Sequence, residues 1–146
     1  MTHQKMARQV LTSTLDRGRL ETELDEVVRY FREKDVESCR VLFGFAWGNE
    51  YYPGREWNEE KIDLVQLRRK VDEVEARGIG SLGNDDLFMK LAGLEFRFCH
   101  ECDVHIHFTA PSNDHVEAFF ARWQKLGYEP TEWVATRDHG PGKRVR

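Results

Sequence analysis

The sequence predicts an α+β fold, with one mostly antiparallel sheet of about four to five strands and helices packed against it. The chain has 146 residues, of which 40% are hydrophobic and 33% are charged, a composition that suits one core. Helical and strand-like periodicities follow one another in the order α-β-α-β-β-β-α-β. Short links between the later strands favour antiparallel pairing. We expect residues 1–136 to form a single domain and residues 137–146 to form a short, flexible basic tail.

An amphipathic helix is predicted in the first third of the chain. Its buried face is formed by apolar residues at helical spacing: Leu20, Leu24, Val27, Val28 and Phe31. Before it, Met6, Val10 and Leu15 suggest an earlier helical turn or two that ends near Gly18. From residue 39 the pattern changes to a strand, in which alternate apolar residues share one face: Val41, Phe43, Phe45 and Trp47.

The loop that follows, residues 49–57, carries a Pro53-Gly54 turn signal and several aromatic residues. Aromatic side chains and an arginine on a surface loop are the composition of a binding hot spot. The same side chains could instead fold back over the end of the sheet. We predict that partner contact falls on four residues of this loop: Tyr51, Tyr52, Arg55 and Trp57.

The second helix has a clear start signal. Asp63 can cap its backbone amides, with Gln66 three residues later, and Ile62 can pack on Leu67 as a hydrophobic staple. Gly78 can end this helix in the left-handed conformation.

Three strands and a third helix are expected in the second half of the chain. The strands are predicted over residues 86–92, 94–99 and 104–108. Asn113 then introduces a helix that Gly127 closes, and a last short strand falls near Trp133. The buried face of this helix is predicted from apolar residues at helical spacing: Val116, Phe119, Phe120, Trp123 and Leu126.

Metal-ligating residue types are concentrated between Cys99 and His107. If residues 94–108 are extended, either as a hairpin or as one bent strand, the polar side chains share the face opposite the core. His105 and His107 would then stand side by side and could hold one ion, with Cys99, Glu101 or Asp103 completing the shell.

Zinc suits this mixture of nitrogen, sulfur and oxygen ligands, and the spacing of Cys99 and Cys102 recurs in zinc turns. However, every candidate lies in one segment, and a second Cys-x-x-Cys pair is absent. A solvated sheet face of mixed charge accounts for the same residues. The sequence therefore favours no cofactor, with zinc as the alternative.

Charge limits the possible partners. The formal net charge is −4, and without the four basic residues and one acidic residue of the tail the body through Thr136 carries −7. An acidic body repels phosphate, so we expect a basic protein partner rather than nucleic acid. No apolar run approaches the length of about 18 residues that a membrane-spanning helix needs. Three cysteines do not describe a disulfide framework, and we expect a cytoplasmic protein.

The sequence favours a non-enzymatic protein that recognises a macromolecular partner, and it predicts no catalytic residue. In being small, acidic and without catalytic motifs, the chain resembles in type the bacterial toxin-neutralising (immunity) proteins, which implies a basic protein partner. The alternative is a metal-dependent enzyme or metal-binding protein centred on the stretch from Cys99 to His107, with Glu101 or Asp103 as general base. A homodimer is compatible with the abundant aromatic residues and an unpaired strand edge.

Overall fold

The computed structural model describes residues 6–43, 60–134 and 143–144, which form three α-helices packed on one antiparallel sheet. The helices are α1 (Arg17–Glu33), α2 (Leu67–Ala76) and α3 (Asp114–Lys125), and a short 3₁₀ helix (Leu64–Gln66) precedes α2. The strands are β1 (Arg8–Leu11), β2 (Ser38–Phe43), β3 (Glu60–Asp63), β4 (Leu87–Leu91), β5 (Leu94–Phe98), β6 (Val104–Phe108), β7 (Thr131–Val134) and β8 (Lys143–Arg144). Their order across the sheet is β3-β2-β4-β5-β6-β1-β7-β8, and each neighbouring pair is antiparallel.

The core lies between the helices and one face of the sheet. Alternate residues of β4, β5 and β6 are buried there, because successive side chains of a strand point to opposite faces. Three aromatic rings join the layers: the Phe31 ring of α1 lies 5.7 Å from the ring of Phe96 in β5 and 6.2 Å from that of Phe119 in α3. The opposite face, which we call the open face, carries half-buried polar side chains that include Gln9, Glu95, Arg97, His105 and His107.

A buried carboxylate links α1 to α3. Glu23 is 1% exposed, and its two oxygens accept hydrogen bonds from Arg122 Nε (3.1 Å), Arg122 Nη2 (2.7 Å) and Trp123 Nε1 (2.8 Å). Helical periodicity places Glu23 on the buried side of α1, next to Leu20 and Leu24. The carboxylate is tolerated there because each of its oxygens has a donor.

The prediction of four to five strands is wrong. Within the described residues, the sheet has seven strands of four to six residues and an eighth of two residues, and the elements follow the order β-α-β-β-α-β-β-β-α-β-β. The first missed strand is β1, where helical turns were expected around Val10. Four residues are too few to show a period, and β1 is held by pairing with β6 and β7, which are distant in sequence. Gly18 does not break the helix but lies in the first turn of α1, which Asp16 caps by accepting from Arg19 N at 2.8 Å.

The second missed strand is β3, which ends at the residue that the sequence pattern predicts as a helix cap, Asp63. Asp63 ends this strand opposite Ser38, and its side chain makes no capping hydrogen bond. Pairing with β2 keeps this segment extended, so α2 begins only at Leu67, after the 3₁₀ helix. The predicted end of the helix is confirmed, since Gly78 adopts a φ of 72°.

The predicted α+β class, the antiparallel pairing, the long helix α1 and the strands β4, β5 and β6 are confirmed. The side chain of Asn113 accepts from the amides of His115 and Val116, as expected of a helix cap. Of the predicted tail, the structure describes residues 143–144, which pair with β7 as β8; the remainder lies outside the described residues. Among the described residues, no helix is long and apolar enough to cross a membrane.

Candidate metal centre

The hairpin between β5 and β6 builds the candidate site. Cys99 N donates to the carbonyl oxygen of Asp103 at 2.8 Å, and Cys102 N donates to the carbonyl oxygen of Cys99 at 3.0 Å. Cys102 adopts a φ of 64°, which reverses the chain within residues 99–103. Of the two conformations considered for this segment, the structure has the hairpin. Cys99 and Asp103 therefore face each other across the turn, and His105 follows two residues further along β6.

Three different ligand types converge on the open face at this point. One ligand atom from each of Cys99, Asp103 and His105 lies within 4.8 Å of the other two. Asp103 Oδ2 is 3.0 Å from His105 Nε2, whereas Asp103 Oδ1 is buried and has no hydrogen-bond partner. Thiolate, imidazole and carboxylate are the ligands that zinc takes in proteins, so the donor set fits this ion.

Gln9 of β1 contacts a ring nitrogen of His105 and so influences which of the two ring nitrogens carries the proton. Its Oε1 lies 3.3 Å from His105 Nδ1 and can accept a hydrogen bond from this nitrogen when Nδ1 carries the ring proton. With the proton on Nδ1, the lone pair of Nε2 faces the Asp103 carboxylate at 3.0 Å, and a cation between the two atoms satisfies both. With the proton on Nε2, the same pair forms an ordinary hydrogen bond. The geometry is therefore compatible with either a proton or a metal ion at this position.

His107 lies beside this cluster. Its ring stacks on that of His105 with centroids 5.8 Å apart and an interplanar angle of 16°. Burial, and then the positive charge of Arg97 and the neighbouring His105, lower the pKa of His107 to about 4, so its imidazole is neutral at pH 7. Its Nε2 atom is buried without a hydrogen-bond partner.

The environment of Cys99 decides what its thiol can do. Burial, and then the negative charges of Asp103 and Asp86, raise the pKa of this thiol to about 12. The thiol is therefore protonated at neutral pH and is a poor nucleophile. A metal ion held by Cys99 would displace that proton and take the thiolate as its ligand.

The structure brings together only part of the predicted ligand set. Cys99 and His105 converge with Asp103, whereas the side chain of Glu101 is 77% exposed at the tip of the turn. Cys102 is separated from the cluster, because its Sγ lies 3.3 Å from the carbonyl oxygen of Gly83 and donates to it. Asp103 was one of three candidates for completing the shell, and the parity of an extended strand already placed it on the face of His105.

The acidic segments of α1 and α2 are paired with arginines of the same two helices. Arg17 lies 2.8 Å from a Glu21 oxygen and 2.7 Å from a Glu75 oxygen. Arg68 lies within 3.3 Å of three carboxylates, those of Glu21, Asp25 and Asp72. These contacts offset much of the local negative charge, so the two helices do not present a uniformly acidic surface.

The predicted partner-binding residues Tyr51, Tyr52, Arg55 and Trp57 lie outside the described residues. No protein-family model matches the chain, and neither a curated protein nor a solved structure matches it.

Proposed function

We propose that the protein binds a zinc-type divalent metal ion at the β5–β6 hairpin, through Cys99, Asp103 and His105. The observation that carries this proposal is the convergence of sulfur, oxygen and nitrogen ligands within 4.8 Å of one another. The unpartnered, buried Asp103 Oδ1 supports it, because a buried carboxylate oxygen without a partner costs about 1–3 kcal/mol that a metal–oxygen bond offsets.

Three protein ligands leave one position of a tetrahedral zinc ion open. An open position is the arrangement of catalytic zinc sites, where water or a substrate atom completes the shell. Zinc in such a site acts as a Lewis acid and lowers the pKa of bound water. On this proposal the protein is a metal-binding protein with the coordination of a metal-dependent enzyme, and Gln9 is the group that orients His105.

The test begins with metal content. Mass spectrometry on untagged protein, purified without chelator, is expected to find near-stoichiometric zinc. His105→Ala and Asp103→Asn should each weaken zinc affinity by about 10-fold or more, because the first removes the imidazole ligand and the second replaces the carboxylate with a neutral amide, a poorer zinc ligand. Cys102→Ser is the matched control, since Cys102 lies in the same turn but outside the cluster. Co²⁺ substitution adds a spectroscopic readout: a sulfur-to-cobalt charge-transfer band should appear in the wild type and be lost in Cys99→Ser.

Two outcomes would contradict the proposal. The first is an absence of metal together with no binding of added Zn²⁺ or Co²⁺ at micromolar concentration. The second is an equal loss of metal in Cys102→Ser and Asp103→Asn, since this would show that the turn is merely sensitive to substitution. Circular dichroism of each variant separates loss of a ligand from loss of the fold.

Recognition of a basic macromolecular partner is our second proposal. Its support is the net charge of −4 and the aromatic loop of Tyr51, Tyr52, Arg55 and Trp57. A one-to-one complex whose association weakens with salt is expected, and Tyr52→Ala should weaken it. A captured partner that binds wild type and Tyr52→Ala equally at all salt concentrations would contradict this proposal.

A further inference from the structure

A small basic depression lies on the open face at the β3 end of the sheet, where β3, β2 and β4 run side by side. The strand register places Arg40 of β2 directly opposite Lys61 of β3 on one side and Lys90 of β4 on the other. All three side chains are exposed, and they line a depression of about 230 Å³ together with Ser38. Donor side chains from three neighbouring strands therefore meet at one place.

Arg40, Lys61 and Ser38 carry donor groups that are available to a ligand. Within the described residues, the side chains of these three residues form no hydrogen bond or ion pair. Lys90 differs, because it has an interaction of its own. The depression thus offers an unengaged guanidinium, an unengaged ammonium and an unengaged hydroxyl group.

The carboxylates of neighbouring positions on the open face are directed elsewhere. Asp63 lies two residues beyond Lys61 on the same face, but it lines a separate depression. Glu95 lies 2.5 Å from Arg97 Nη2. Like charges directly opposite each other destabilise a sheet, so the contact between Arg40 and Lys61 is unfavourable in the free protein. An anion bound between these two side chains would relieve it.

We propose that this depression binds the phosphate group of a small phosphorylated molecule. A guanidinium forms paired hydrogen bonds with phosphate oxygens, and a lysine ammonium adds a point charge. The Ser38 hydroxyl can donate to a further oxygen. The volume is below about 300 Å³, the lower end of the range for drug-sized ligands, so it suits a phosphate group rather than a large molecule.

Charge favours a small phosphate over a nucleic acid at this site. The chain as a whole carries −4, and this net charge repels a polyanion that extends beyond the depression. A single phosphate group responds mainly to the charges next to it, because salt screens exposed charges more than about 8 Å apart. The site does not rest on the metal proposal, since none of the proposed metal ligands lines it.

The test titrates inorganic phosphate and phenyl phosphate into the isotope-labelled chain at constant ionic strength, with a chelator present so that zinc plays no part. Saturable amide shifts in ¹H–¹⁵N NMR spectra are expected at residues 38–40 and 60–62. Arg40→Met should weaken phosphate binding by about 10-fold or more, because it removes a charge-assisted hydrogen bond. Arg69→Met is the matched control, since Arg69 is also an exposed arginine but lies in α2, away from the depression. Lys61→Met is the second variant if Arg40→Met loses the fold, which the spectrum itself reports.

Thermal unfolding gives an independent readout. Phosphate should raise the Tm of the wild type more than that of Arg40→Met, because general salt stabilisation is common to both and specific binding is not. At low salt without phosphate, Arg40→Met should be at least as stable as the wild type, because the opposition of like charges between Arg40 and Lys61 is gone. A clearly lower Tm for Arg40→Met would show that this arginine stabilises the sheet, and it would overturn the proposal.

Further probes separate the possible ligand classes. Acetate that binds as tightly as inorganic phosphate would overturn the phosphate assignment. A single-stranded oligonucleotide that binds far more tightly than phenyl phosphate would overturn the assignment to a small ligand. An absence of saturable shifts at millimolar phosphate, or an equal weakening in Arg69→Met, would overturn the site.

Discussion

The buried ion pair between Glu23 of α1 and Arg122 of α3 offers a direct test of how these two helices pack. Arg122→Met removes two of the three donors to Glu23 and leaves only the indole N–H of Trp123. Removing one partner of a buried pair costs about 3–5 kcal/mol, because the remaining charge is left uncompensated. The side chain of Arg122 is 29% exposed, so water screens part of the interaction. We therefore expect a loss of about 3 kcal/mol in the free energy of unfolding.

Urea denaturation followed by circular dichroism measures this loss. The urea midpoint should fall in Arg122→Met. The slope of the unfolding free energy against urea concentration should stay the same, because the variant and the wild type bury the same surface. Arg29→Met is the matched control: it also lies on a helix and pairs with two carboxylates, those of Glu26 and Glu33, but its side chain is 53% exposed. Exposed pairs contribute little, so this control should lose less than about 1 kcal/mol.

A second substitution tests the cause of the loss. In Glu23→Leu/Arg122→Met the buried charge is gone, and hydrophobic replacement of a buried pair is often neutral. The double variant should therefore recover part of the stability that Arg122→Met loses; the recovery stays incomplete, because the buried indole N–H of Trp123 loses its acceptor. If Arg122→Met costs no more than Arg29→Met, or if the double variant is less stable than Arg122→Met, the reasoning about Glu23 is refuted.

Two further predictions concern single side chains. Burial raises the pKa of the Cys39 thiol to about 12, and the residue is 3% exposed, so a thiol reagent at pH 8 should label at most two of the three cysteines until urea is added. Tyr30→Phe removes the contact of the Tyr30 hydroxyl with His115 Nδ1 at 2.9 Å and should cost about 1 kcal/mol in thermal unfolding. Burial, and then Asp114, raise the pKa of Tyr30, so the stability linked to its protonated form is complete below the unfolded pKa of about 10 and is lost as pH rises through the folded pKa. Tyr30→Phe should flatten that alkaline loss, and an unchanged alkaline profile would contradict the assignment.

Elements with enough local signal could be predicted from the sequence. The helix α1 runs for 17 residues, so its apolar stripe repeats several times and identifies both the helix and its buried face. The strands β5 and β6 alternate apolar and polar residues over five positions each, and a tight turn joins them. In these elements the local pattern and the tertiary packing require the same conformation.

Elements that depend on distant partners could not be predicted. β1 places Val10 opposite Ile106 and Glu132, nearly a hundred residues or more away along the chain. β3 exists because it pairs with β2, and its four residues contain a single large apolar side chain, Ile62. Neither strand has a local pattern long enough to distinguish it from a helical turn or a loop.

The candidate site was predicted in part for the same reason. Strand parity alone places Cys99 and His105 on the face opposite the core, and the structure brings these two together. The alternation of side chains between the two sheet faces ends within the turn. There Cys102 adopts a left-handed conformation, Glu101 is exposed to solvent, and Cys102 is separated from the cluster. Strand parity also places Asp103 on the face of His105, but the choice among Cys99, Glu101 and Asp103 depends on how the hairpin closes, which the sequence does not specify.

β1, one of the two strands that the sequence does not reveal, also contributes to the candidate metal centre. It lies beside β6, where it places Gln9 against the ring of His105. The proposed metal ligands all come from residues 99–105, whereas the group that contacts His105 Nδ1 comes from β1. Changes at Asp103 should therefore act on metal binding directly, whereas changes that loosen β1 should act on it through the orientation of His105.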